Sequence, residues 1–550
     1  MIKPAVLASD LPHGPWCCRG SDVWDTINAA ASGDAPALRR LLGRDPNLYR
    51  AEYWYTQPIH FAVREGHVEA VRVLLDAGAD PAATGLGADD LVTVARDRGH
   101  EALARLLEEE RARRGTVPVA TLGDHPIHAA AAAGDAARVL SFLDAEPRLV
   151  NLGDRSGGTP LHRAVAAQAR EVIALLLDRG ADIHAVHGAG PGSESGYAAA
   201  GFQPIDLALW TGPFWGLRGD FETVLLLLER GASRDVVVAA AMGDLDCVRT
   251  LLDEDPGRIR ATRPCGKRPL SSAVEFVHPS IVRYLLDRGA DPNWPEGANA
   301  PRGASLHAAA RAGDRATVEL LLAHGADPNG HIDSAGSATY AARTPELRAL
   351  LFAHGGTLDA CDLVWLGEDD EAVRRVAADP GSANAGCGGV LAAACKLGKR
   401  DLVVRLLEAG ARVPPMVTEC RSYLWSDPGL LRLLLASGMD PDLPDWQRAT
   451  PLHDLCGRDG RGRPRPHRTD CAAILLDAGA GIAARDEDYR STPLAWAARN
   501  DLPDMVDLLL ARGAPTNLRD DEPWATPLAW ATRRGHGRVV EILVEAGATR

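Results

Sequence analysis

Apolar residues along the chain recur at three- and four-residue spacing over short stretches and never over long ones. Val71, Leu74 and Leu75, and again Val318, Leu321 and Leu322, lay one apolar stripe along a helix of about ten residues. Ahead of such a stretch stands a shorter one that opens on proline, as in Thr159-Pro160-Leu161-His162. Threonine is a good N-cap there, and proline fits the first helical position, where its missing N–H has no helical partner. The first stretch stops at a glycine such as Gly66, Gly134 or Gly313, suited to the left-handed residue after a helix. The second ends at Gly-Ala-Asp, seen at Gly78-Ala79-Asp80, Gly180-Ala181-Asp182, Gly289-Ala290-Asp291 and Gly325-Ala326-Asp327. The pattern predicts pairs of short helices separated by polar turns.

The pairs repeat. Pro126 and Pro160 stand 34 residues apart, as do Pro493 and Pro527, and Pro58 precedes Pro126 by two such periods. Further copies start at Pro204, Pro269 and Pro451, with Ser305 in the proline slot of one more. A fixed period of this size marks a solenoid of supersecondary units. Helices of this length are below the ~12–15 residues at which isolated helices become marginal in water. Stability must therefore come from stacking on neighbours.

These motifs resemble the ankyrin repeat family, whose signature is Thr-Pro-Leu-His near the first helix and Gly-Ala-Asp after the second. The resemblance runs from about Trp24 to Arg550 and holds roughly sixteen units. It is most specific at 158–185, 303–330, 492–517 and 526–550, and weakest at 85–110 and 337–425. The fold it implies is all-α, an α-solenoid of stacked helix-turn-helix repeats with short β-hairpin-like turns projecting to one side. The role it implies is protein–protein recognition on the concave face formed by the turns and first helices. An N-terminal extension covers 1–23, a first block of repeats 24–115, a candidate linker 116–123 and a second block 124–550. Glu108 to Gly123 extends one helix and then breaks it, which makes that stretch the best place for a bend. Four units close their second helix with Asp45-Pro46, Glu146-Pro147, Asp255-Pro256 and Asp379-Pro380, at spacings near three repeats, as if a block of units had been duplicated. Insertions at Gly188 to Gly201, Trp294 to Gly303 and Gly457 to Arg468 belong at turns, where added length costs little closure entropy.

Composition narrows the picture. A chain of 550 residues would ordinarily make three or four globular domains, but the repeat overrides that count. No apolar run approaches the ~20 residues that span a bilayer, and Ala5 to Ala8 is too brief for a signal peptide. A net charge of −14 argues against a general nucleic-acid binder. Four lysines against 56 arginines suggest a GC-rich, bacterial genome. The ten cysteines are sparse, and Cys247 and Cys395 sit inside apolar helical patterns, so they read as small buried hydrophobes in a reducing cytosol.

Candidate chemistry is thin. His60, His128, His162, His307 and His453 recur with the repeat, which a catalytic residue has no reason to do. The family resemblance implies rings that bridge neighbouring turns by hydrogen bonds. His453, Cys456, His467 and Cys471 have zinc-like spacing. The repeat register nevertheless places His453 and Cys456 on a first helix and Cys471 in a second-helix core slot, leaving only His467 in the inserted loop. That loop's arginines could touch an acidic partner. Gly188, Gly190 and Gly192 lack the strand-then-helix context of a phosphate cradle, and no Gly-x-Ser-x-Gly elbow appears. The expectation is no cofactor, no metal and no catalytic set.

What remains is a recognition edge. Tyr53, Trp54, Tyr55, Trp294, Trp446, Tyr489 and Trp524 stand just before first helices. Trp446, Tyr489 and Trp524 come from three consecutive units and, at ~4.7–4.9 Å per paired strand, would span ~20 Å of one edge. Asp486, Glu487 and Asp488 flank Tyr489, and Asp520, Asp521 and Glu522 flank Trp524. Rings beside carboxylates suit a partner with a basic segment, through charge pairing and cation–π contact. The alternative is that the rings pack on the adjacent turn and the acids are solvated. Trp496 and Trp530, inside first helices, read as core. The last helix carries Val539, Val540, Ile542, Leu543 and Val544 with few polar residues, as a marginal cap or a face for a partner. The sequence thus points to a non-enzymatic, cytoplasmic binding scaffold. The rivals are an enzyme or regulator with a site in 337–425, where Asp359, Asp362, Glu368, Asp369 and Asp370 cluster near Trp365, and an effector secreted into a host cell.

Overall fold

A computed structural model describes the chain except residues 9, 11, 14–17, 55, 82, 84–88, 114–124, 155–156, 188–200, 211–218, 297–302, 333–335, 385–388, 417–420, 459–462 and 550. Tyr55, the candidate linker 116–123 and the three glycines Gly188, Gly190 and Gly192 lie outside the described residues. The chain divides into two compact units, Val6–Thr357 and Leu358–Arg550, the second also holding Met1–Ala5.

Each unit is built of short helix pairs, an all-α architecture of ankyrin-type repeats. In the N-terminal unit, Pro58–Arg64 is followed by Val68–Asp76, Pro160–Ala166 by Arg170–Asp178, and Ser305–Ala312 by Arg315–Ala323. In the C-terminal unit, Pro493–Arg499 precedes Pro503–Ala511, and Pro527–Arg534 precedes Gly537–Glu545. The stretch with the weakest motif match keeps the same plan, with Ala360–Leu366 followed by Asp369–Ala378 and Gly389–Lys396 by Arg400–Glu408. Strand pairing among the described residues is limited to two-residue strands, Pro12–His13 against Cys18–Arg19 in the N-terminal extension and His331–Ile332 against Gly336–Ser337, and to isolated bridges. One apolar core runs through the N-terminal unit from Ile127 to Leu351, so each helix pair shares its buried face with the pairs beside it.

The turn between paired helices explains two recurrent residues at once. Gly33, Gly134, Gly243 and Gly313 close first helices at φ 73, 72, 78 and 76°. The aspartate that follows each one, Asp34, Asp135, Asp244 or Asp314, accepts a hydrogen bond from a backbone N–H three residues on and so caps the second helix. Elsewhere a histidine fills that slot and reaches back one repeat. The Nε2 atoms of His67, His278 and His536 lie 3.0, 2.9 and 3.0 Å from the carbonyl oxygens of Ala31, Ala241 and Arg499. The far turns are tied in the same fashion. Asn293 accepts from the Asp327 N–H and donates to the Gly325 carbonyl, both at 2.8 Å, and Asn329 does the same for Thr357 and Gly355 at 2.7 and 2.9 Å.

The Asp-Pro endings have their own geometry. Asp45, Asp255 and Asp379 leave the second helix in extended conformation and cap a following 3-10 turn through the N–H of Asn47, Gly257 and Gly381. Proline, lacking an N–H, suits the first position of that turn. The long helix Glu101–Arg113 is held by Arg111, which is buried and donates to the Pro81 carbonyl at 2.9 Å and to Asp90 at 3.0 Å.

Candidate functional site

The Thr-Pro-Leu-His slot shows why its histidines recur. His162 Nδ1 accepts from the Thr159 N–H at 3.1 Å, and Nε2 lies 3.2 Å from the Phe202 carbonyl oxygen in the next unit. His453 repeats the arrangement with Thr450 at 3.1 Å and Ser491 at 3.0 Å. Burial pushes the His162 imidazole down to about 4, so it stays neutral at physiological pH. These rings are inter-repeat bolts. With His453 so engaged, the zinc-like foursome has no ligand to offer from that position, and no group of three or more potential ligands gathers among the described residues.

The carboxylates near Trp365 are likewise structural. Asp359 and Asp362 form a reciprocal capping box, Asp369 pairs with Lys399 at 2.6 Å, and Asp370 pairs with Arg405 one repeat on.

The recognition edge of the C-terminal unit is where the remaining chemistry collects, and its acids divide into three kinds. Asp486 is buried and accepts from the Tyr489 N–H, the Ser491 N–H and Trp496 Nε1 at 2.7, 3.0 and 3.1 Å. Burial, with Asp488 adding repulsion, pushes its carboxyl up to about 6. Glu487 lies 2.5 Å from the Met1 amino group and 2.9 Å from Arg448 Nε. Partial burial raises its carboxyl, but those two cations outweigh it and hold the group below its ordinary value. Asp520 and Asp521 share Arg485, at 2.8 and 2.7 Å, and Glu522 pairs with Arg490 at 3.1 Å. Arg448, Arg485 and Arg490 each belong to the turn one repeat before the acid they meet, so Glu487, Asp520, Asp521 and Glu522 are paired along the stack. Asp488 is half-buried.

The rings differ among themselves. Trp446 is buried, at 4% exposure, and its carbonyl accepts from the Ile2 N–H at 2.8 Å. Tyr489 and Trp524 are half-buried and meet on Trp530, edge to face, with centroids 5.6 and 6.1 Å away. Tyr489 also contacts Trp496 at 5.3 Å. Trp530 is 1% exposed, as its helical position suggests, whereas Trp496 is half-buried. In the N-terminal unit, Tyr53 is buried and bridges Thr56, Trp54 turns at φ 51°, and the guanidinium groups of Arg260 and Arg268 lie 5.5 and 5.8 Å from the Trp294 ring centroid. The inserted loop after Gly457 uses its described arginines internally. Arg458 donates to the Asn500 carbonyl, and Arg465 to Asp454.

Sequence reasoning missed a set of cations over these rings. Arg499 lies 4.3 Å from the Tyr489 centroid and 5.3 Å from that of Trp530, and Arg533 lies 4.3 Å from Trp530. The signal was present in the repeated Leu-Ala-Trp-Ala-Ala-Arg (494–499) and Leu-Ala-Trp-Ala-Thr-Arg (528–533).

A family model of three-copy ankyrin repeats matches 91–187, 215–296, 236–332, 423–520 and 467–549, and a many-copy ankyrin model matches 27–85. Together they cover most of the chain. The E3 ubiquitin-protein ligase XB3 of Oryza sativa subsp. japonica is 29% identical over 188 residues, 32% of this chain and 42% of that protein. The ankyrin repeat domain-containing protein SAT10 of Stachybotrys chartarum is 26% identical over 339 residues, 57% of this chain and 17% of that protein. The chain thus spans less than half the length of either relative. These two come from a plant and a fungus, and a third match, the transient receptor potential cation channel subfamily A member 1 of Drosophila melanogaster, from an animal, so they lend no support to the bacterial source that the arginine excess suggested. Among solved structures, the human ASB11 ankyrin repeat domain covers 60% of this chain and 98% of its own at 18% identity and a TM-score of 0.20.

Proposed function

We propose that this chain, which belongs to the ankyrin repeat family, is a non-enzymatic module that binds another protein through the turn tips and first helices of its C-terminal unit. The observation that carries the reading is the chain of ring contacts that joins half-buried Trp496, Tyr489 and Trp524 through Trp530, with Trp496 meeting Tyr489, and Tyr489 and Trp524 both meeting Trp530, flanked by charged side chains. Aromatic and arginine side chains concentrated at one place are the composition of interface hot spots. The histidines and carboxylates that first suggested chemistry are engaged in capping and in joining repeats, which supports the non-enzymatic side of the reading. A reducing, cytoplasmic setting fits the free thiols of Cys265, Cys395 and Cys471, each pushed up to about 12 by burial and so unreactive.

The test is capture of partners by the full chain, with cross-linking and mass spectrometry to locate the contact. Trp524→Ala should leave the melting curve close to wild type and remove cross-links to the C-terminal unit. Persistence of those cross-links in the variant, or their placement wholly in the N-terminal unit, would sink the proposal.

A further inference from the structure

Two turns of the C-terminal unit are joined edge to edge beside the aromatic rings. The Glu487 N–H donates to the Gln447 carbonyl at 2.8 Å, and Arg448 Nε meets the Glu487 carboxylate at 2.9 Å. Glu487 stands in the same turn as Tyr489. A third stretch of chain is laid on this pair of turns, for Met1–Ala5 belongs to the C-terminal unit. The Ile2 N–H donates to the Trp446 carbonyl at 2.8 Å, and the Met1 amino group reaches Glu487 Oε2 at 2.5 Å. The Met1 side chain is 5% exposed, and Pro4 is buried. A backbone bond to a neighbouring edge, a charge-assisted bond and apolar anchors are the contacts by which an extended peptide docks on another protein. The hold is weak. Ordering the segment is opposed by its conformational entropy, of which one backbone bond returns only a part. Covalent attachment raises its effective concentration at the edge and keeps it in place. The cations use different oxygens of Glu487, Oε2 for the Met1 amino group and Oε1 for Arg448, so Arg448 still holds the carboxylate when the segment leaves.

We infer that Met1–Ala5 is a built-in occupant of this edge, and that the partner displaces it with an extended segment bearing a cationic group for Glu487 and a backbone N–H for the Trp446 carbonyl. The inference rests on the protein-binding reading above and adds to it the chemistry of the partner segment and a contact that holds the free chain closed to it.

The probe is the peptide Met-Ile-Lys-Pro-Ala, with a free amino end and fluorescein at its carboxyl end. It is titrated by anisotropy against the full chain and against the full chain carrying Ile2→Pro and Pro4→Gly, which remove the N–H donor and the buried ring. The variant should bind the peptide at least about tenfold more tightly than wild type, where the built-in segment competes. With the variant as receptor, acetylating the peptide's amino end or adding Glu487→Gln should each weaken binding by about tenfold, and raised salt should weaken it as well. Arg538→Gln, an exposed change on the last helix, should leave it as it was. Should the double variant melt early, Ile2→Pro alone takes its place, with the same order of affinities expected. No binding to the variant, equal affinity of wild type and variant, or indifference to acetylation or to Glu487→Gln would overturn the inference. Cross-links that survive Trp524→Ala while the peptide behaves as expected would defeat only the broader proposal. Loss of those cross-links with a peptide that fails to bind the variant would defeat only this one.

Discussion

Val277 holds a backbone conformation that β-branched side chains avoid, with φ 61° and half its surface exposed. It occupies the slot where Gly66, Gly134 and Gly313 turn the chain from first to second helix. Val277→Gly should remove strain of about 1–2 kcal/mol, partly offset by the greater freedom of glycine in the unfolded chain. The net expectation is a gain of about 1 kcal/mol, seen as a higher urea midpoint at unchanged slope. Asp486 runs the other way. Asp486→Ala would leave the Ser491 N–H and Trp496 Nε1 without their acceptor inside the turn, at about 1–3 kcal/mol, read from the melting curve. The two residues mark what was legible at this scale. The glycine slot could be read because its conformational demand is carried by one residue. The role of Asp486 could not, because its partners, backbone donors of its own turn and Trp496 of the helix that follows, come together only once the turn is closed.

Helix pairs were legible from period alone, since Pro at the first helical position, Gly at the stop and apolar residues at three- and four-residue spacing all state local requirements. Leu321, with 0% exposure, lies on the buried stripe of its second helix. Leu321→Ala should cost about 2–5 kcal/mol and lower the thermal midpoint, whereas truncation of exposed Arg288, paired with Asp253 across the repeat at 3.0 Å, should change it by less than about 1 kcal/mol. The bonds between elements were not legible. Arg485 and Asp520 are separated by one whole repeat, as are Asn293 and Asp327, and nothing in the local pattern of either turn announces the other. The aromatic edge shows the same limit, for Glu487, Asp520, Asp521 and Glu522 look available in the sequence and are matched by arginines from the preceding turn.

At the scale of the molecule, pH acts through groups that the stacking buries. Glu296 lies beside Lys267, Glu275, Arg268 and Ser271, and burial pushes its carboxyl from 4.5 up to about 7 despite the attraction of Lys267. The folded chain therefore holds this proton more tightly than the unfolded one. Its contribution is complete below pH 4.5 and is lost as pH rises to 7, on the order of 3 kcal/mol. Glu296→Gln should erase that slope, so the difference in unfolding free energy between wild type and variant should change across this window and be flat above it. An unchanged difference from pH 4.5 to 7 would remove the group from the account. The period predicted the stack but gave no sign of this burial, because Glu296 lies in an insertion that interrupts the repeat. The residue after the helix-joining turn has a wider consequence. Units bearing Asp34, Asp135 or Asp244 complete their own caps, while those bearing His67, His278 or His536 borrow a carbonyl from the unit upstream. A recombination joint placed ahead of an aspartate-type unit severs no such bond, so these units are the natural seams at which arrays of this kind can be cut, grafted and lengthened.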